Sequence, residues 1–544
     1  MQLPLPGASP ARAALRGLWL LLSLLSFGPA ARAANYYWVG NTGAWTDMSH
    51  WASASGGAGN AYANVPKNTD NVYFDGNSFT TNDQRVTIVG TVTCNDMTWS
   101  GNVRQATLAQ GASGVLEING DLHYTATMAT ALAIGVPHRL LATTTRAVVD
   151  MQGVPFGSSL LFDSASGGWT FTSAFNGTPG TVVNISAARL VSFGSTTLTF
   201  STLNTYSGAT AVASTVAGTL DLGSSITTLL VQASAGTLNL SNPNLTLTAG
   251  TSTLNVGASA LTSYVSPVSF TTKKPLAFNK VVVNSGQGAV FSVANSSFNT
   301  LTINSLATLS SAATIKAGGS LVLGADATLL VGAGSAKVLS FGSGATLATS
   351  GSCAGLGTVQ SALAGSPAIL ARSEGWAAAP LSYAVLRDLT FTDGSSGYPA
   401  NGAAVASASA DQGGNAGITI ASPPVNDLYW IGGSGNWHDP SHWASASGDA
   451  NTGNTCVPNV ATNVHFDANS FPTTGGVVTL DLTGQQCRDM DWTGVTNKPT
   501  LTTAARGVLT VAGSLTLAGP AALTQMLPID LFLGQPGGGS YALT

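Results

Sequence analysis

A stretch in the middle of the chain decides the fold. Residues 281–323 read VVVNSGQGAVFSVANSSFNTLTINSLATLSSAATIKAGGSLVL. Apolar side chains recur there in pairs two positions apart: Val281/Val283, Leu301/Ile303 and Leu321/Leu323. This spacing places both members of a pair on one face of a β-strand, and Gly318-Gly319 marks a turn. Strands that return at this regular interval, with no helical pattern between them, predict a β-solenoid whose coils stack on one core.

The same pattern extends on both sides of this stretch. Further pairs are found at Leu220/Leu222, Leu238/Leu240 and Leu254/Val256 before it, and at Leu339/Phe341 after it, at slightly shorter intervals. We therefore predict an all-β chain folded as a right-handed parallel β-helix. At about 20 residues per coil, the chain after residue 33 would form about 25 coils. The alternative is a row of tandem β-sandwich domains, which predicts antiparallel strands every ~8–12 residues and a boundary about every 100.

A longer repeat organises the whole chain. The motif Trp-x-Gly-x-x-Gly-x-Trp-x-Asp-x-x-His-Trp begins at Trp38 and returns in full at Trp430. So many uncommon residues in register do not recur by chance. The repeat predicts a first unit at 34–426, with a Trp-rich opening (34–125) and a solenoid body (126–426), and the opening of a second, incomplete unit at 427–544.

The N-terminal segment 1–33 has the layout of a secretory signal peptide. Arg12 and Arg16 precede an apolar run at 18–27, and a small-residue site ends at Ala33, where cleavage is expected. The run is too short to span a bilayer, and no later apolar stretch is long enough. We predict a secreted or cell-surface protein whose mature chain has no transmembrane segment.

Composition and cysteine content exclude several classes of protein. Charged residues make up 8 % of the chain, with 19 Lys and Arg against 23 Asp and Glu, so the basic surface of a nucleic-acid binder is missing. Four cysteines, Cys94, Cys353, Cys456 and Cys487, do not have the spacing of a metal site. We expect no metal and no cofactor. In an oxidising compartment Cys456–Cys487 is one candidate bridge, and the sequence leaves the pairing of the four cysteines open.

The opening motif resembles exported bacterial repeat proteins. It is similar, together with Pro66 and the segment 71–75, to the start of autotransporter-type passenger regions and of large surface proteins of gliding, type IX-secreting bacteria. The segments 381–388 and 411–415 are similar to the way units close in those surface proteins. The resemblance implies a parallel β-helix with a cell-surface role and no particular reaction. An outer-membrane barrel and a C-terminal sorting domain, which such proteins carry, are not recognised here.

Aromatic residues are the candidate binding residues of both openings. They are Tyr37, Trp38, Trp45 and Trp51 in the first copy and Tyr429, Trp430, Trp437 and Trp443 in the second. As a platform they would stack on the rings of a glycan. As a cap they would cover the exposed edge and open core of the first coil, which every solenoid must close. The cap is the interpretation that we favour.

Candidate catalytic groups are few. Asp47/His50 and Asp439/His442 could act as acid–base pairs, and Asp75/Asn77 and Asp467/Asn469 could offer oxygens to calcium, although turns held by side-chain hydrogen bonds explain both patterns better. Between Phe171 and Leu370 the only carboxylates are Asp221 and Asp326. We expect about five coils between these two, roughly 24 Å, which is too far for a glycosidase pair.

The sequence therefore favours a structural or adhesive β-solenoid without catalytic activity. A glycan-binding module that uses the aromatic clusters is the alternative, and a polysaccharide-degrading β-helix enzyme with its site near the openings is the third candidate. The expected partners are a polysaccharide or the surface of a host or neighbouring cell.

Overall fold

The structure is a computed structural model of the 544-residue chain. It describes residues 33–128, 132–205, 218–230, 237–257, 267–284, 288–353, 355–372, 374–376, 381–393, 404–421, 426–450, 456–481, 485–503, 508–517, 519, 525–526 and 530–533. The signal peptide predicted at 1–33 therefore lies, but for its last residue, outside the described residues.

The chain is all-β, with 50 % strand and 2 % helix, and it forms a parallel β-solenoid of about 16 turns. Apart from two short antiparallel pairs, the strand pairings in the described part are parallel. The β-solenoid prediction is confirmed. The larger number of coils expected from the sequence is wrong, because most coils are longer than the apolar pairs suggested.

Two long sheets run along the length of the first unit. The larger one consists of Asn35–Trp38, Trp51–Ala52, Asn71–Phe74, Thr91–Cys94, Met97–Trp99, Val115–Ile118, Leu122–His123, His138–Leu140, Ala147–Asp150, Ser159–Phe171, Val182–Ser192, Thr202–Asn204, Thr219–Asp221, Thr237–Leu240, Thr246–Thr248, Val268–Thr272, Ala289–Ser292, Leu306–Leu309, Thr328–Val331, Gly357–Ser361, Ala384–Arg387 and Ala410–Asp411. The other consists of Pro155–Phe156, Phe175–Gly177, Thr197–Phe200, Ile226–Leu229, Thr253–Val256, Ala277–Val283, Ser296–Ile303, Ala313–Leu323, Leu339–Phe341, Thr346–Thr349, Ala368–Arg372 and Leu389–Asp393.

Smaller sheets complete both units. Those of the first unit are Gly43–Ala44, Arg85–Ile88 and Thr107–Gln110, and Leu381–Ser382, Ala404–Ser407 and Ile418–Ile420. Those of the second are Asn426–Trp430, Trp443–Ala444, Thr462–His465, Met490–Asp491 and Leu515–Thr516; Gly435–Asn436, Val477–Leu480, Thr500–Thr503 and Gln525–Met526; and Gln485–Cys487, Val508–Val511 and Asp530–Leu533. Single 3₁₀ turns lie at Met48–His50, Ala126–Met128 and Pro440–His442.

The predicted repeat holds in the stretch that decides the fold. Val281 pairs with Leu301, and Leu301 pairs with Leu321. These side chains are buried in the continuous apolar core of the first unit. The next coil is longer, since Leu321 pairs with Leu347 rather than with Leu339. The coil predicted to end at Leu339 is therefore wrong.

Earlier coils contain three strands each. Thr219–Asp221, Ile226–Leu229 and Thr237–Leu240 are followed, one coil later and in register, by Thr246–Thr248, Thr253–Val256 and Val268–Thr272. Leu220 thus stacks on Leu247, and not on Leu238. The apolar pairs of this region lie on strands that do not stack on one another. The intervals between the pairs therefore give the distance along the chain between different stacks of strands, and not the length of a coil.

The strands after Asn426 form sheets and an apolar core of their own. In the described part of the chain, no helix is long and apolar enough to cross a membrane.

Candidate functional site

The opening motif builds a stack of rings over a glycine. The imidazole of His50 lies flat on Trp38, with ring centroids 4.6 Å apart, and His50 Nδ1 is 2.7 Å from the carbonyl oxygen of Val39. On its other side a Cβ on Gly43 would lie 2.0 Å from His50 Nε2. Only glycine fits there, which explains its place in the motif. His442, Trp430 and Gly435 repeat this arrangement in the second opening.

A short strand closes the edge of the first coil in each opening. Tyr37 pairs with Tyr73 of the next coil on one edge of its strand, and with Ala52 of the antiparallel strand Trp51–Ala52 on the other edge. The second opening does the same, with Tyr429 between His465 and Ala444. The backbone edge that a solenoid would otherwise leave unpaired is thus covered.

The tryptophans of the motif fill the core beneath this edge. Trp38, Trp45 and Trp51 are at most 1 % exposed, as are Trp430, Trp437 and Trp443. The ring of Trp51 packs edge-on against those of Trp38 and Trp45, with centroid distances of 5.1 and 5.0 Å. Its Nε1 donates a hydrogen bond to the carbonyl oxygen of Trp45. Because none of these six residues presents a ring face to solvent, their burial favours the cap over the glycan platform, and their contact with a glycan stays an untested prediction. They occupy the position of a cap.

The two tyrosines of the candidate set lie outside this core. Tyr37 is half-buried and stacks on Tyr73 at 4.9 Å, and Tyr429 stacks on His465 at 4.6 Å. Their contact with a glycan stays a prediction.

The acid–base candidates are turn residues. Asp47 precedes the 3₁₀ turn, and its Oδ1 accepts hydrogen bonds from the backbone N–H and the hydroxyl of Ser49, at 2.9 and 2.7 Å. These bonds lower the pKa of Asp47. Its Oδ2 lies 4.0 Å from His50, so the pair makes no close contact. Asp439 is held in the same way by Ser441, and its pKa is lowered for the same reason.

The calcium candidates are also turns. Asp75 Oδ1 accepts from the backbone N–H of Asn77 at 2.9 Å, and Asp467 does so from Asn469 at 2.8 Å. The turn interpretation of both patterns is confirmed. The described residues hold no group of three or more His, Cys, Asp or Glu that could bind a metal ion.

A disulfide joins the second opening to the body of the first unit. Cys456 is bonded to Cys353, at a sequence separation of 103. The candidate bridge Cys456–Cys487 is therefore not the one that forms. Cys487 is a free, fully buried thiol on an inward strand position, and Cys94 is its counterpart in the first copy. Burial raises the pKa of both thiols, which serve as core side chains.

An ion pair and a small apolar cluster lie beside the disulfide. His438 Nε2 is 2.9 Å from Asp326 Oδ2, with both side chains about one-third exposed. The hydrogen bond that His438 donates to Asp326 raises the pKa of His438. Val460 packs on Val385 and Ala410, which stack on one another on the outer face of the body. Asp221, the other carboxylate between Phe171 and Leu370, accepts from the hydroxyl of Ser192 at 2.9 Å.

Between these contacts the two units enclose a cleft of about 610 Å³, which we call the inter-unit cleft. One wall is an outward row of the body that includes Leu306, Thr328 and Thr358 in successive coils. Side-chain amides dominate the polar lining: Asn304, Gln360, Gln412, Asn459, Gln485 and Gln486.

Asp481 supports the second wall of the cleft. Its Oδ1 accepts from the backbone N–H of His438 at 3.0 Å and from Nε2 of Gln485 at 2.9 Å. Gln485 is 4 % exposed, and its Oε1 has no hydrogen-bond partner in the described part of the chain.

This cleft was not predicted from the sequence, although the repeat contained a signal. Where the second opening has His438, Cys456 and Asp481, the first has Thr46, Asn64 and Val89. Two of these departures from the repeat, His438 and Cys456, contact the body, and the third, Asp481, holds His438 in place.

Comparison with protein-family models, with curated proteins and with solved structures finds no match to this chain. The resemblance to bacterial surface proteins stays a prediction.

Proposed function

We propose that the protein is an exported structural or adhesive β-solenoid that acts without catalysis and attaches through many weak contacts. The observation that carries the proposal is the outer surface of the coils, where hydroxyl and amide side chains line up in register. Asn239, Thr271 and Ser292 form one such row, and Thr199, Thr228 and Asn255 form another.

Neighbouring members of a row are separated by one strand spacing, about 4.8 Å. Thr271 Oγ1 donates to Asn239 Oδ1 at 3.3 Å, and Asn255 Nδ2 donates to Thr228 Oγ1 at 3.4 Å. Such uncharged rows offer a partner repeated hydrogen bonds of low individual strength. With 8 % charged residues, the chain exerts little long-range electrostatic steering.

Export is supported by two features. The Cys353–Cys456 disulfide suits an oxidising compartment, and residues 1–33 have the layout of a signal peptide.

Avidity tests the proposal. The full chain, biotinylated at one site, is applied as a monomer and as a streptavidin tetramer to polysaccharide-coated surfaces and to bacterial and animal cells. We expect the monomer to be washed off and the tetramer to be retained about 10²-fold better, with little change between about 0.05 and about 0.5 M salt. Tight retention of the monomer that is lost in high salt would contradict the proposal.

A further inference from the structure

We propose that the inter-unit cleft is a binding site for a short segment of a neutral oligosaccharide. This goes beyond the adhesive function proposed above, because it assigns one discrete site and does not depend on the rows of the outer surface. Its volume of about 610 Å³ lies within the range of small-molecule sites, about 300–1,000 Å³.

The polar lining matches the chemistry of sugar hydroxyls. The six side-chain amides of the cleft each carry a carbonyl oxygen that accepts and an NH₂ group that donates. A hydroxyl group also accepts and donates, so each amide can serve it in either direction. Leu306, Val457 and Pro458 add apolar surface to the lining, which suits the C–H face of a pyranose ring.

The charges of the cleft exclude an anionic ligand. Among the described lining residues there is no Lys or Arg, and His438 already pairs with Asp326 at 2.9 Å. A phosphate, sulfate or uronate group would approach Asp326 without a free cation to compensate it, and like charges in contact are unfavourable. A neutral ligand avoids this cost.

Gln485 is the second, independent sign of a ligand. The equivalent residue of the first copy is Val92, a buried apolar residue at the same place in the strand. Replacing a valine by a glutamine whose buried Oε1 lacks a partner destabilises the fold. Such a group in a native structure calls for an explanation, and a ligand hydroxyl that donates to this oxygen supplies one.

The walls of the cleft are fixed before a ligand arrives. The Cys353–Cys456 disulfide and the Asp326–His438 contact both cross from one unit to the other. A site held in place in this way binds without first ordering its own side chains and loops, which favours affinity.

Titration of the full, disulfide-bonded chain with trisaccharides tests the proposal. The probes are cellotriose, maltotriose and chitotriose, which are neutral, and trigalacturonate, which is acidic. Calorimetry and saturation-transfer NMR measure binding. We expect at least one neutral trisaccharide to bind, and T358W, which fills the cleft from the wall of the body, to weaken it at least tenfold. Thr302 lies on the outward face of another strand, and T302W is the matched control that should bind like the wild type.

Two further variants separate loss of the binding site from displacement of the second unit by the large side chain in T358W. Gln485→Val installs the residue of the first copy, and Gln360→Ala shortens one amide of the lining. Both should weaken binding severalfold without lowering the unfolding midpoint below that of T302W, and Gln485→Val should raise it because the unpartnered amide oxygen is removed. The proposal is overturned if no neutral trisaccharide binds, if only trigalacturonate binds, or if all three cleft variants bind like the wild type. None of these outcomes changes the avidity expected of the outer surface.

Discussion

The two openings of this chain contain the same cap and differ in what faces outward. In both, three buried indoles, a histidine stacked on a glycine and a short antiparallel strand close the first coil. Only the second opening carries His438, Cys456 and Asp481. It is joined to the body by a disulfide and an ion pair, whereas the first opening continues into the body through one apolar core. The inward residues that both openings share therefore maintain the fold, whereas a few outward replacements in the second opening create the contact between the units.

The largest expected effect concerns the shared cap. Trp45→Ala and Trp437→Ala should each destabilise their own opening by about 3–5 kcal/mol, because each removes a fully buried indole. Urea unfolding followed by hydrogen exchange in the two openings measures both. Tyr37→Ala is the control, and its effect should be much smaller because Tyr37 is half-buried. If the exchange rates of both tryptophan variants match the wild type, these indoles do not cap the coil.

The next effect concerns the disulfide, which only the second opening has. The double variant C353S/C456S should lower the free energy of unfolding by about 2–4 kcal/mol, because it releases a long loop, with a sequence separation of 103 between its ends. Amide exchange at the residues that line the inter-unit cleft should speed up as well. The control C94A removes a buried thiol of the first opening, which is not part of the cleft lining, and there cleft exchange should not change. Equal exchange in C353S/C456S and C94A would show that the disulfide does not hold the second opening against the body.

Acid should weaken the first unit more than the second. His138 and Tyr124 are buried, with His138 Nε2 at 2.6 Å from the tyrosine hydroxyl, and burial lowers the pKa of His138 to about 4. The second copy has Leu517 and Leu531 at the equivalent positions. Since the unfolded histidine has a pKa of about 6.5, it takes up a proton between about pH 6.5 and about pH 4 that the folded one does not. The free energy of unfolding should therefore fall over this range by about 2–3 kcal/mol.

The double variant Y124L/H138L, which carries the residues of the second copy, is the control for this acid effect. Urea unfolding of both proteins at neutral pH and at a pH just above the pKa of the folded His138 makes the measurement. The variant should lose less stability on acidification than the wild type. An equal loss in the two proteins would show that His138 does not titrate as the structure indicates.

The smallest effect is that of the ion pair. Because the hydrogen bond to Asp326 raises the pKa of His438, its stabilisation is fully present below about pH 6.5 and is lost as the pH rises through the raised value. Asp326→Asn should shift the NMR titration of His438 to lower pH and cost less than about 1 kcal/mol, since both groups are partly exposed. His465, paired with Asp427, is the internal control. An unchanged midpoint for His438 would exclude the ion pair.

The fold could be predicted from sequence because alternation along a strand is a local pattern. Val281 and Val283 lie on one face of their strand whichever strands pair with it. The turns between strands are likewise determined by residues that are neighbours in the sequence. Coil length could not be predicted, because it depends on which strands pair. Leu238, for example, follows Leu220 at an interval that resembles a short coil. It pairs with Phe270, however, and so belongs to a different stack of strands.

The cap could be predicted from the repeat, whereas the inter-unit contact could not. Aromatic residues at the start of each copy have few other roles in a solenoid, so their burial followed from general reasoning. Cys353 and Cys456 come together only because the second opening lies against the body, and this depends on tertiary contacts such as Val460 on Val385. A comparison of the two copies position by position would have singled out His438 and Cys456 as departures from the repeat.

Peptide mapping of the unreduced protein tests most directly whether a disulfide joins the second opening to the body. After proteolysis without reductant, mass spectrometry should find a peptide pair joined through Cys353 and Cys456. Cys94 and Cys487 should be alkylated only after the chain is unfolded, because both thiols are fully buried. A peptide pair that joins Cys456 to Cys487, or four cysteines that react freely in the native protein, would contradict the account.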